Sequence, residues 1–207
     1  MSPVKAPGSG SPKITCRELG PELWPALEKL FSPNGACGGC WCMWWRIERG
    51  GRMWEEIRGA PAQKRLKKLV QGGEAKGILA FEGEKPVGWC SFGPRAEFPR
   101  LETVKAFRRD DTAHVWCVNC FFIAKGCRGQ GVARRLLEAA LGAMRRRGVE
   151  TVEAYPVTTT EDGRLVSSSM AFTGPIGLFE EQGFREVQRL SPTRPLVRLK
   201  LAKRKGR

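Results

Sequence analysis

Hydrophobic and polar positions divide this chain into segments of two different periods. Between Val115 and Ile123 the run is apolar on both faces and too short for a helix, which predicts a central strand covered on each side. From Val132 the period changes: Val132, Leu136, Leu137, Ala140, Leu141 and Met144 recur at helical spacing, with Arg134, Glu138, Arg145 and Arg146 largely opposite. A long amphipathic helix follows from that pattern, stopped at Gly148. Upstream, residues 14–19 read as a strand and 21–31 as a helix opened by Pro21. Two basic helical segments over 49–71 and a β-hairpin over 78–92 come next. Residues 93–112, with Pro94 and Pro99, read as a surface excursion. Downstream come a strand over 150–157, a polar loop over 158–174, a short helix over 175–182 and two alternating strands over 185–190 and 196–201.

The length of 207 residues and a hydrophobic content of 41% suit one soluble domain, expected over 13–201 between a Pro-, Gly- and Ser-rich tail (1–12) and a basic tail (202–207). No apolar run is long enough for a membrane span, so a cytoplasmic protein with mostly reduced cysteines is expected. The net charge of +15 attracts phosphates of any origin. Nucleic acid is one such partner, although basic runs such as 64–68 and 145–147 are more often solvated faces.

Between the central strand and the long helix lies Gly126-Cys127-Arg128-Gly129-Gln130-Gly131. A helix starting at the end of a buried strand aims free N–H groups and its positive dipole end at whatever binds there, and glycines let that backbone approach an anion. Arg128 adds charge and donors for the same oxygens. A P-loop is excluded because no Gly, four residues, then Gly-Lys-Ser/Thr occurs, and a dinucleotide fingerprint would place Arg134 at its third glycine. What fits is Arg128-x-x-Gly131-x-Ala133.

That spacing resembles the acetyl-CoA signature of the GCN5-related N-acetyltransferase (GNAT) superfamily, and Leu178-Phe179-Glu180-Glu181-Gln182-Gly183-Phe184 resembles its second signature. The resemblance implies an α/β (α+β mixed) fold: a central mixed, mostly antiparallel sheet with a V-shaped splay, flanked by helices. It implies acetyl-CoA as cosubstrate. Its pantetheine would run along the main chain of Val118, Cys120, Phe121, Phe122 and Ile123, and its pyrophosphate would sit on Arg128, Gly129, Gln130, Gly131, Val132 and Ala133. It also implies transfer of the acetyl group to a primary amine by direct attack in a ternary complex, in a monomer or homodimer. Many members carry a proton-donating tyrosine near the position of Phe179, which cannot fill that role and is expected only to border the coenzyme.

Tyr155 is the chain's one tyrosine, two residues from Glu153 on the same predicted strand, so both side chains project to one face. Glu153 as base and Tyr155 as acid is the resulting expectation, with His114 a further candidate base. Cys117 and Cys120 lie beside the expected thioester site, where a thiolate nucleophile would imply a ping-pong route. Three residues apart on a strand, they are expected on opposite faces unless a bulge intervenes. Residues 37–46 pack three thiols and three indoles into ten positions. Cys37, Cys40 and Cys42 read as a partial metal-ligand set, as a redox pair, or as ordinary packing. Trp41, Trp44 and Trp45 read as an aromatic wall for a cationic amine or as a cap on the core. The rival functions are a non-catalytic acyl-CoA-binding protein and a basic nucleic-acid- or ribosome-associated factor.

Overall fold

The computed structural model describes residues 13–32, 34–159 and 171–202. The elements are β1 (Ile14–Glu18), α1 (Trp24–Phe31), α2 (Arg52–Ile57), α3 (Ala60–Gln71), β2 (Lys76–Glu82), β3 (Lys85–Pro94), α4 (Arg100–Thr103), β4 (Val115–Ile123), α5 (Val132–Arg146), β5 (Thr151–Ala154), α6 (Ile176–Glu180), β6 (Arg185–Ser191) and β7 (Arg194–Lys200). The seven strands form one mixed sheet in the order β1-β2-β3-β4-β5-β7-β6. Only β4 and β5 run parallel, because α5 carries the chain back between them. The expected tails, apart from Ala202, and residues 160–170 of the expected loop, Ser167 to Ser169 among them, lie outside the described residues. Among the described residues no helix is long and apolar enough to cross a membrane.

One face of the sheet is covered by α5. Leu136, Leu137, Ala140, Leu141 and Met144 are fully buried against Ile78, Cys90, Phe92, Val118 and Val152, and each leucine contributes about 1.5–3 kcal/mol. The helix can approach β3 because residue 88 is glycine: a Cβ there would stand 2.8 Å from Val132 Cγ1. The opposite face carries α1, α3 and the segment 41–47, through Trp24, Leu27, Phe31, Leu66, Trp41 and Trp89. Beyond these, Phe98, Leu101 and Arg95 are buried beside Cys117 and Tyr155, so the expected surface excursion sends three side chains into the core while Ala96, Glu102, Thr103, Lys105 and Ala106 stay exposed.

β4 departs from regular pairing at one place. Its register with β3 steps from Ser91↔Cys120 to Phe92↔Val118, leaving Asn119 as the extra residue of a bulge. The bulge changes the parity of the strand. Val118 and Phe121 both pack toward α5, whereas Cys117 and Cys120 both turn to the other face. A polar Asn within an apolar run was the sequence trace of this feature.

Candidate active site

The anion turn is built by two left-handed glycines. Gly129 and Gly131 have φ of +72° and +75°, and Gly131 caps the start of α5, a backbone that side-chain-bearing residues adopt only with strain. Arg128, Gly129, Gln130 and Gly131 are all exposed, Val132 is buried and Ala133 half-buried. The side chains support the loop from within: Arg128 Nε donates to the Ile123 carbonyl at 3.3 Å and Gln130 Nε2 to the Gly126 carbonyl at 3.0 Å. An open cavity of about 770 Å³ lies against the turn, lined by Lys13, Gln130, Gly131, Arg134, Arg135 and Glu138 among others. Three basic side chains, Arg134 of them paired with Glu138, and the free N–H groups of a 15-residue helix meet there, an arrangement suited to an anion.

The second element is the gap between β4 and β5. Their ladder ends at Val118↔Ala154, while β4 runs on to Ile123. The bulge sits at the point of parting. Asn119 is 1% exposed; its carbonyl accepts the Trp45 indole N–H at 2.8 Å, and its Nδ2 has no acceptor among the described residues. Beyond it Cys120 and Phe121 are buried, and Phe122 and Ile123 half-buried.

Glu153 and Tyr155 do come together, but in the core. Both are 0% exposed. The Tyr155 hydroxyl donates to Glu153 Oε1, which also accepts Arg95 Nε at 3.0 Å, while Oε2 accepts Arg198 Nε and Nη2 at 3.0 and 2.9 Å. Each carboxylate oxygen is thus held by a guanidinium. Arg95 reaches further, to Glu102 and to the carbonyls of Leu101 and Phe107, and Arg198 pairs with Asp111. Burial first, then the neighbouring Cys117 and Glu153, push the Tyr155 hydroxyl well above its ordinary value. This is a buried ion-pair core clamping β5 to β7 and to the 95–107 segment, with no face open to an amine. His114 is exposed, with φ of +63°, at the start of β4. Six residues of strand separate it from Cys120, roughly 20 Å at about 3.3 Å per residue. Phe179 is wholly buried, edge-on to Phe121 and Phe184 at 6.0 and 5.3 Å, so it supports β4 from beneath rather than offering a surface to a coenzyme.

The cysteine- and tryptophan-rich segment folds tightly over the end of β4. Trp41 and Cys42 are consecutive left-handed residues, φ 43° and 54°, and the surroundings hold them there. Trp41 is buried, stacked on Trp24 at 6.0 Å and edge-on to Phe31. Cys42 Sγ accepts the Trp89 indole N–H at 2.9 Å and stands 3.5 Å from Cys120 Sγ. Trp45 is also buried, stacked on Tyr155 at 5.7 Å. Of the three expected wall residues only Trp44 faces a cavity. That pocket, about 300 Å³, is lined by Cys37, Cys40, Cys42, Trp44, Trp54, Arg58 and Phe172 together with Cys120, Phe121 and Phe122 of β4. No group of three or more His, Cys, Asp or Glu among the described residues is arranged to hold a metal ion. Trp54, Arg58 and Phe172, which join the end of β4 at this pocket, and Asn119 at the bulge were not picked out as site residues from sequence.

A glycine turn opening α5 beside basic side chains, a strand parted from its parallel neighbour and an apolar pocket lined by that strand's free end therefore stand along one stretch of the chain. The chain belongs to the acetyltransferase (GNAT) family, whose model matches residues 41–184. Solved structures agree in fold. YncA of Salmonella typhimurium, a structure with the cofactor acetyl-CoA, superposes with a TM-score of 0.54 at 16% identity, covering 93% of this chain and 96% of that one. An N-acetyltransferase from Staphylococcus aureus Mu50 gives 0.55 at 12% identity, covering 91% and 98%. PaiA N-acetyltransferase from Thermoplasma acidophilum, in complex with coenzyme A, gives 0.52 at 13%, covering 91% and 99%. No curated protein matches the chain by sequence.

Proposed function

We propose that this protein is an acetyl-CoA-dependent N-acetyltransferase that acts by direct attack of an amine in a ternary complex. The single observation that carries the reading is the continuity of the exposed Gly129–Gly131 anion turn with the β4 segment that outruns β5. The residues fit the cosubstrate. The turn and α5 N–H groups, with Arg134 and Arg135, would hold the phosphates. The main chain from Val118 to Ile123 would hold the pantetheine arm, and the orphaned Asn119 Nδ2 is a buried donor in want of an acceptor. The acetyl thioester is what acetyl-CoA supplies there when bound.

This chain's residues then act by position. Trp45, through its hydrogen bond to Asn119, fixes the bulge. The Arg95–Glu153–Arg198 core fixes β5, so the gap between the strands keeps its width. Glu153 and Tyr155 are positioning residues in this reading, and the amine sheds its proton without them. The experiment is acetyl-CoA turnover with a panel of amines, followed by thiol release. Acceptor-dependent release supports the transferase. Coenzyme binding with no release for any amine would leave a non-catalytic acyl-CoA-binding protein. No coenzyme binding, with salt-sensitive binding to nucleic acid, would favour the basic factor instead.

A further inference from the structure

The pocket at the parting of β4 and β5 has the wrong charge for an ammonium ion. Its one formally charged lining residue among those described is Arg58, a cation, and no carboxylate is among them. Glu55 pairs with Arg58 at 2.8 Å but is not part of the lining. The Trp44 ring already carries a cation: the Arg100 guanidinium sits 3.7 Å from its centroid. Burial holds the Cys40 thiol protonated, pushed up to about 12, and the hydrogen bond with Cys42, then burial, raises Cys120 well above its ordinary value, so neither supplies a counter-charge. An alkylammonium entering this space would lose water, meet one guanidinium already paired with Glu55, and find no carboxylate among the described lining residues.

The remaining surface suits a flat, uncharged ring. Trp44 and Trp54 meet edge to face at 5.1 Å, and Phe121, Phe122 and Phe172 complete the lining. Such walls bind aromatic rings by offset and edge contacts. A volume of about 300 Å³ admits a single small ring system.

We infer that the acceptor is an arylamine, an amine whose nitrogen sits on an aromatic ring and is uncharged at neutral pH. The inference rests on the transferase reading above and names its substrate class. It also removes the need for a general base, which the buried Glu153 does not provide. The lone pair of the aryl nitrogen attacks the thioester carbonyl. A C–N bond forms as the C–S bond breaks, and the proton lost from nitrogen goes to the departing thiolate sulfur, giving the N-acetylarylamine and coenzyme A.

The test compares two isomers of the same formula, 4-methylaniline and benzylamine, which differ in whether the nitrogen is attached to the ring. Calorimetry on protein loaded with coenzyme A at neutral pH should show 4-methylaniline binding at least about tenfold tighter. With acetyl-CoA, kcat/KM for 4-methylaniline should be flat between about pH 6.5 and 8.5, a range in which the free fraction of an alkylamine rises about tenfold per unit. Arg58→Glu should shift the preference about tenfold toward benzylamine, whose ammonium then gains a partner. Tighter binding and faster acetylation of benzylamine by the wild type would overturn the inference and leave the transferase reading standing. Failure of 4-methylaniline to release thiol from a protein that binds acetyl-CoA, while other amines of the panel do, would likewise overturn the inference and leave the transferase reading standing.

Discussion

The two faces of the sheet are stabilised by different physics. The α5 face is aliphatic, and one helix of regular period covers it with Leu136, Leu137, Ala140 and Leu141. The other face is assembled from short pieces and stocked with tryptophan, cysteine and a buried ion network. The first face needs only area and shape, while the second needs each polar atom matched. The glycine turn grows from the regular face and the pocket from the irregular one, so under the proposed function cosubstrate binding and acceptor choice would rest on separately built halves.

The largest break in that comparison comes from the ion core. Glu153→Leu strips Arg95 and Arg198 of their shared carboxylate and should cost about 3–5 kcal/mol in urea unfolding. Arg95→Met combined with Glu153→Leu should recover a large part of it. Additive losses would show that the two charges are not coupled. On the regular face, Leu137→Ala should cost about 3 kcal/mol through lost transfer energy and a cavity, without dependence on pH.

The next effect is a pH dependence. Cys40 in the folded protein holds its proton up to about 12, against an ordinary value of 9.0, mainly because burial penalises the thiolate. Cys90, Cys117 and Tyr155 are shifted upward for the same leading reason. Between about 9 and 12 the unfolded chain therefore binds fewer protons than the folded one, so stability, steady below that window, falls as pH rises through it. Denaturant titrations across that range should show the decline, and Cys40→Ser should flatten part of it. The smallest effect belongs to the exposed Arg134–Glu138 pair, an i,i+4 contact at 3.1 Å. Glu138→Ala should change the unfolding free energy by less than about 0.5 kcal/mol.

The same division explains what the sequence disclosed. Strand β4, the turn and α5 were legible because their information is local: an apolar run, two glycines, a 3.6-residue period. The GNAT family and the mixed sheet followed from that stretch. Arg95 was not legible as a core residue, since Glu153 lies on a distant strand and Glu102 is one acid among the mixed charges of 93–112. Glu153 and Tyr155 were correctly paired on one face by strand period, but the period does not say whether a face meets solvent, a ligand or two guanidiniums. Trp41, Trp44 and Trp45 look alike in sequence, and only tertiary packing separates the one that lines the pocket from the two that are buried. The bulge at Asn119 reversed the expected parity of Cys117 and Cys120, a displacement by one residue that periodicity cannot register.

The measurement that tests the central claim most directly is calorimetric titration of acetyl-CoA into the wild type and into Gly131→Val, with folding of both checked by circular dichroism. At φ +75° a β-branched residue strains the turn and crowds its exposed face while the core residues of α5 stay in place. One-to-one binding by the wild type, weakened at least about tenfold in the variant, is the predicted result. Equal affinity in two folded proteins would mean that the turn at the start of α5 is not where the cosubstrate binds, and the account of the site would fail with it.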